Sequence, residues 1–361
     1  MSTRPRKQEQ EPATDEVTEV APGIVRTQLP IDLPGLGHVN CYVIEDERGV
    51  ALVDPGLPGA ATFKAIGARL AAIGVPLRRV HTVIVTHSHP DHWGGAGRVH
   101  AETGADIVTH RSFRLMWDPS EPPDVDVEDV AQANDPEPGE LDGRAAPRMP
   151  WDPPPWGGPG YDVPWRRRAR MQLARRLPRL VRTAKPTVRL DDAQTIRLAG
   201  REWVAVHTPG HTDDHLCLFD PIGRVMISGD HVLPTITPHI GGFTRAPDPL
   251  ALFFGSLDKV AAYGADVDIV LPAHGHPFHD LTARAESIKE HHEHRLEVLR
   301  SACSSIGRPA RVNELSQHLF SARAQGSMAD SETFAHLEHL RLGGEARRDD
   351  LDDGYEYSLV G

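Results

Sequence analysis

Thr86-His87-Ser88-His89-Pro90-Asp91-His92 sets three imidazoles and a carboxylate within six residues, directly after the apolar run Val80–Thr86. Val80, Val83, Ile84 and Val85 read as a short buried strand, so the chain leaves a rigid edge and turns sharply at Pro90. Strand side chains alternate, so His87 and His89 point the same way if the pleat persists into the turn, while Asp91 and His92 face a second point. One turn can therefore serve two ions. A His-rich surface turn is the plainer alternative in a chain with 21 histidines among 361 residues, but chance clustering rarely adds the carboxylate. Imidazole and carboxylate at this spacing form a ligand set for zinc, iron or manganese.

Four ligands do not fill two coordination spheres, and the same grammar of strand followed by a ligand-bearing turn recurs along the chain. Val50–Val53 runs into Asp54-Pro55-Gly56, and Trp203–His207 into Thr208-Pro209-Gly210-His211. A hairpin of Leu216–Phe219 and Arg224–Ser228 ends in Gly229-Asp230-His231, and Val267–Leu271 ends in Pro272-Ala273-His274. Such repetition converges distant side chains on one sheet edge.

In this order the motifs Val53-Asp54-Pro55-Gly56, Thr86 to His92, Gly210-His211, Gly229-Asp230 and Ala273-His274 resemble those of the metallo-β-lactamase superfamily. The resemblance covers about residues 22–280 and implies an α+β fold, a four-layer αββα sandwich with its site between two sheets at their common edge. It implies that His87, His89 and His211 hold one metal, Asp91, His92 and His274 a second, and that Asp230 bridges both. Asp54 would orient the ligand turn without ligating, and Asp91 or Asp230 would be the catalytic group that moves the proton. Two divalent ions, zinc first, with manganese or iron accepted by the same donors, would activate a bridging hydroxide at neutral pH, so no Ser or Cys nucleophile is needed.

The activity this implies is hydrolysis of a thioester, a lactone or a related small acyl compound. The alternative is an RNA or nucleotide phosphodiesterase, and a weaker third reading is β-lactam hydrolysis as a side activity; fold analogy alone does not choose among them. Redox members of the superfamily carry a following flavodoxin-like region, which this chain lacks.

Cys41, Cys217 and Cys303 are few, odd in number and widely spaced, so no disulfide framework is expected. Residues 1–21 are charged and Pro/Glu-rich with no apolar signal or span, which predicts a loose N-terminal tail, no membrane partner and a cytoplasmic location. Without export, antibiotic degradation is not the expected native role. The formal net charge of −12 disfavours nucleic acid as a partner.

Residues 113–188 form an insert: acidic and Pro-rich through Asp124–Glu140, aromatic at Trp151, Trp156, Tyr161 and Trp165, then basic from Arg166 to Arg182 on a predicted helix. It reads either as an amphipathic helix packed on the body or as a substrate lid whose arginines meet an anionic group.

From residue 281 to 361 the pattern turns helical, with helices expected at Arg284–Ala302, Val312–Phe320 and Ser331–Leu342 and a small β-wing around Asp353-Gly354. This order resembles the winged-helix domain appended to a subgroup of the same superfamily. Its third helix carries Glu332, His336, Glu338 and His339 rather than a basic face, so packing or homodimerisation is the expected role rather than DNA binding. His291, His292 and His294 cluster on the first helix, where a solvated or domain-interface surface is expected. His215, His231, His239, His276 and His279 flank the motif turns and are expected to line the pocket without ligating.

Overall fold

The computed structural model describes residues 7–115, 149–176, 185–242 and 244–360. The first four strands, β1 (Val17–Ala21), β2 (Ile24–Leu33), β3 (Leu36–Asp46) and β4 (Gly49–Val53), form an antiparallel meander. β4 is buried along its whole length, as befits a continuous apolar run covered on both faces. The chain then crosses over through α1 (Ala60–Ala72) to β5 (Val80–Ile84), and through α2 (Pro90–Trp93) and α3 (Ala96–Thr103) to β6 (Asp106–His110). β4, β5 and β6 are mutually parallel, because a helical crossover returns the chain in the same direction. α1 packs on β2, and α3 on β5 and β6.

After α4 (Trp165–Arg176), β7 (Val188–Leu190) completes a seven-stranded sheet in the order β1 to β7. β8 (Thr195–Leu198), β9 (Arg201–His207), β10 (Leu216–Asp220) and β11 (Val225–Gly229) form a second antiparallel meander. α5 (Pro249–Ala261) then leads to β12 (Ile269–Pro272), which lies parallel to β11. The two sheets face each other across one apolar layer. Tyr42, Ile44, Val53 and Ile84 come from the first and Trp203, Leu216, Leu218 and Leu271 from the second, all essentially inaccessible to water.

Strand directions explain why the ligand-bearing turns meet. β4 and β5 are parallel, so the turns after them leave the same edge. β9 and β11 both oppose β10, and β12 is parallel to β11, so these three also end together. Backbone bonds stitch the two sets of ends: Leu216 N–H to Thr86 O at 2.8 Å, and Asn40 N–H to Ala273 O at 2.7 Å.

The later residues run as α6 (Leu281–Ile306), β13 (Ala310–Arg311), α7 (Val312–Leu319), α8 (Ser327–Leu342), β14 (Ala346–Leu351) and β15 (Gly354–Leu359), with a three-stranded sheet in the order β13-β15-β14. α8 starts four residues before the expected Ser331 and has no side-chain cap. The described residues within Met1–Phe113, Val181–Pro238 and Gly255–Ile288 form one compact unit, and those within Arg114–Leu180, His239–Phe254 and Lys289–Gly361 the other. The insert's described residues thus group with the C-terminal elements, and the division falls inside α6 rather than at residue 280. In this second unit Trp156 stacks on Phe334 at 4.4 Å, and Tyr357 donates to Glu338 Oε1 at 2.6 Å.

The loose tail expected for residues 1–21 is not what the described part forms. Val17–Ala21 pairs with β2, and Glu9 is fully buried, its carboxylate accepting from the backbone N–H groups of Thr235 and Ile236 at 2.8 and 3.1 Å. Composition misjudged this segment because its polar residues find specific partners. α4 carries Arg166, Arg167, Arg170 and Arg176 exposed, with Trp165 at 72% exposure. The acidic stretch Asp124–Glu140, Arg179 and Arg182 lie outside the described residues. Cys41, Cys217 and Cys303 are free and buried, and among the described residues no helix is long and apolar enough to cross a membrane.

Candidate metal centre

Three of the five imidazoles at the shared edge, His87, His92 and His274, are oriented from behind by a group that fixes the tautomer. Asp54 ends β4 with φ 56°, a left-handed conformation costly for a side-chain-bearing residue, and that bend turns its buried carboxylate back toward the next strand. Oδ1 accepts from Thr86 N–H at 2.9 Å, and Oδ2 from the Thr86 hydroxyl at 2.8 Å and from His92 Nδ1 at 2.9 Å. A carboxylate only accepts, so Nδ1 carries the His92 proton and Nε2 presents a lone pair. With the Thr86 hydroxyl proton committed to Asp54, His87 Nδ1–H donates to Thr86 Oγ1 at 3.1 Å, freeing His87 Nε2 likewise. His274 Nδ1–H donates to His38 O at 2.6 Å.

The outward nitrogens converge in two groups. His87 Nε2 and His211 Nε2 lie 3.0 and 3.1 Å from His89 Nδ1, and with Asp230 these residues offer four ligand atoms within 4.8 Å of one another. Asp91, His92 and His274 form the other group, with Asp91 Oδ2 at 3.5 Å from His92 Nε2 and 3.4 Å from His274 Nε2. Asp230 touches both: Oδ2 is 3.8 Å from His87 Nε2, 3.6 Å from His211 Nε2 and 3.5 Å from His92 Nε2, while Oδ1 is 3.3 Å from His274 Nε2. All seven residues named from sequence meet here. Asp54 stays behind them.

The donor set fits a divalent metal. Ligand atoms about 2.1 Å from one ion sit roughly 3–4 Å from each other, which is the spacing found. His92 Nε2, His274 Nε2 and Asp230 Oδ1 are buried, and among the described residues none has a hydrogen-bond partner, a costly arrangement unless something else satisfies them. Burial works to hold the His89 imidazole neutral, down to about 3. At His274 burial acts the same way, but the Asp230 and Asp91 carboxylates outweigh it and hold that imidazole up at about 10. The buried carboxylates call for positive charge, which a cation would supply in place of protons.

Several supporting residues carried no sequence signal. Asn40 Nδ2–H donates to Pro272 O and Gly275 O at 2.8 and 2.9 Å, and the Tyr42 hydroxyl to Pro272 O at 2.7 Å, so β3 fixes the turn bearing His274. Nothing in a strand's period marks such residues in advance. Asp214 is buried, its carboxyl pushed up to about 7 by that burial, and it accepts from the Ser88 hydroxyl at 3.0 Å. His215 accepts the Asp230 backbone N–H at 3.0 Å and donates to Thr208 Oγ1 at 2.7 Å, so it aims Asp230. His231 is buried beside it. His276 instead pairs with Glu11 at 2.8 Å, His279 with Asp268 O, and His239 with Glu332 at 3.4 Å.

A sandwich of two mixed sheets with a buried His/Asp centre at the shared edge defines the metallohydrolase class of fold. The chain belongs to the metallo-beta-lactamase superfamily, whose family model matches residues 34–274. Among solved structures, a metallo-beta-lactamase family protein from Thermus thermophilus is 28% identical with a TM-score of 0.71, covering 95% of this chain and 100% of that one. A beta-lactamase domain protein from Burkholderia ambifaria is 26% identical at a TM-score of 0.72, covering 97% and 95%. The lactamase-like protein vrtG of Penicillium aethiopicum is 32% identical over 32% of this chain and 34% of its own length. An atrochrysone carboxyl ACP thioesterase of Emericella nidulans is 34% identical over 26% of this chain and 28% of its own. The chain spans about a third of the length of the curated relatives it matches.

Proposed function

We propose that this protein is a dinuclear metal-dependent hydrolase of a thioester, a lactone or a related acyl compound. The observation that carries the reading is Asp230, whose two oxygens reach His87, His211 and His92 on one side and His274 on the other, at 3.3 to 3.8 Å. His87, His89 and His211 would hold one ion, Asp91, His92 and His274 the second, with Asp230 between them; zinc suits the set best. When bound, such a pair supplies Lewis-acid polarisation of the acyl carbonyl and an activated water nucleophile. The protein's own groups orient that chemistry. Asp54, Thr86 and the His38 carbonyl set the tautomers of His92, His87 and His274 so that each would offer Nε2 to an ion, and His215 aims Asp230. Asp91, 4% exposed and between His92 and His274, holds or returns the proton that moves during acyl transfer to water.

The thioester end of the range is favoured by the thioesterase among the relatives, although the match spans 28% of that protein. We also infer a cytoplasmic protein whose residues 281–361 form a winged-helix-like unit with a homodimerisation or packing role. The test is metal content by plasma emission, paired with turnover of acyl-CoA thioesters, lactones, a chromogenic cephalosporin and RNA. At least two metals with thioester or lactone turnover are expected, whereas metal-loaded protein with RNA cleavage alone would overturn the acyl reading. Asp230→Ala should abolish turnover and empty at least one site; a variant that keeps both metals and full rate would remove Asp230 from the bridge.

A further inference from the structure

Away from the residues assigned so far, the second unit contains a buried cluster with the same chemical make-up. Glu332 and His336 lie one turn apart on α8 and so project from the same face, and His292 of α6 meets them. His292 and His336 are fully buried and Glu332 is 6% exposed. One ligand atom from each lies within 4.8 Å of the others. Of the α6 histidines, expected to lie on a solvated or domain-interface surface, His291 and His294 are exposed and His292 is buried.

The tautomers can be worked out from the partners. His336 Nδ1 is 2.7 Å from Glu332 O, the carbonyl one turn back, and a carbonyl only accepts; Nδ1 therefore carries the proton and Nε2 presents its lone pair. That lone pair faces His292 Nδ1 at 3.0 Å. The separation matches the His–His contacts of the sheet-edge centre, 3.0 and 3.1 Å. If the contact were an ordinary hydrogen bond, His292 Nδ1 would be the donor and its Nε2 a second lone pair. His292 Nε2 is buried and has no hydrogen-bond partner among the described residues. The Glu332 carboxylate is held by Arg295 on Oε1 and more loosely by His239 Nδ1 on Oε2, at 3.4 Å. His336 Nε2, His292 Nδ1 and a Glu332 carboxylate oxygen with a long contact converge as a two-nitrogen, one-oxygen set of the kind that holds a cation, while His292 Nε2 points away from it.

We infer that His292, Glu332 and His336 bind a divalent transition-metal ion, zinc being the best match to a two-imidazole, one-carboxylate set, and that this ion pins α6 to α8. The ion replaces the proton on His292 Nδ1, which moves to Nε2. A site of this kind contributes to folding, because its ligands come together only in the folded chain.

The experiment is native mass spectrometry of the full-length protein reconstituted with zinc, beside the same protein carrying His292→Ala and His336→Ala. Wild type should hold one ion more per chain than the double variant, and its thermal midpoint should respond to zinc at a step the variant lacks. Equal ion counts in the two folded proteins overturn the inference. A second arm covers a double variant that does not fold. His87→Ala, His92→Ala, His211→Ala, Asp230→Ala and His274→Ala together disable both groups of the sheet-edge centre and leave His292, Glu332 and His336 in place; this protein should retain one ion and, with cobalt(II), show visible ligand-field bands of a nitrogen/oxygen site. A folded sheet-edge variant with no ion and no cobalt bands overturns the site, whatever becomes of the proposed hydrolase.

Discussion

Asp54 shows how much one side chain without a ligand atom can decide. Replacing it with Asn leaves one accepting oxygen for the contacts to Thr86 and His92, and the new amide N–H groups favour the His92 tautomer with the proton on Nε2, which cannot ligate. Asp54→Asn should weaken metal affinity by about 10- to 100-fold, the usual cost of losing an outer-sphere orienting group, measured by chelator competition; unchanged affinity would mean that Thr86 alone aligns the turn. A second residue-scale effect lies at His110, stacked on His207 at 3.7 Å and pushed down to about 2 by burial and by the neighbouring His207. Its folded value lies below its unfolded one, so the unfolded chain takes up a proton near pH 6.5 that the folded chain refuses until far lower pH. Stability from this residue is therefore intact above about pH 6.5 and falls as the solution is acidified, by at most about 1.4 kcal/mol per pH unit. Denaturation midpoints of His110→Phe, which keeps a stacked ring, should fall less steeply between pH 6.5 and 5 than those of the parent; parallel slopes would mean that other groups carry the acid response.

At the scale of the element, the junction of β11 with Asp230 depends on Gly229. Its φ is +52°, and a Cβ there would meet His215 Nε2 at 2.6 Å and Thr86 Cβ at 3.1 Å, two groups that set the ligands. Gly229→Ala should cost about 1–3 kcal/mol and lower metal content together, as read by chemical denaturation and plasma emission; a loss of stability with full metal would show that the turn relaxes without moving Asp230. The strands ending at the site were legible because each is a short apolar run stopped by a turn carrying His or Asp. The support from β3 was not legible, since the roles of His38, Asn40 and Tyr42 arise from pairing across 230 or more residues of sequence, which no local period encodes. The choice between solvent and interface for the α6 histidines is undecided in the sequence for the same reason. Helical spacing shows which side chains share a face, but not that α8 would cover His292 and leave His291 and His294 in water.

For the whole molecule, stability rests on the apolar layer between the two sheets, and Trp203 is the largest side chain fully enclosed in it. Trp203→Ala should destabilise by about 3–5 kcal/mol, observed as a shifted urea midpoint; a shift below about 1 kcal/mol would mean that the sheets close over the gap. The two-sheet architecture followed from the ordered motifs, whereas the division of the chain did not, because the insert's described residues group with the C-terminal elements rather than with the sheet from which they emerge. The buried Glu9 carboxylate bears on timing as well as on shape. It grips the backbone of Thr235 and Ile236, a few residues beyond Asp230, while Arg284 holds the carbonyls of Leu233 and Ile236 from the other side at 2.7 Å. The stretch of chain that composition marks as expendable thus acts as a latch on the loop behind Asp230, and a protein trimmed to begin at residue 12 should lose bound metal to a chelator faster than the parent; equal rates would mean that Arg284 alone holds the loop.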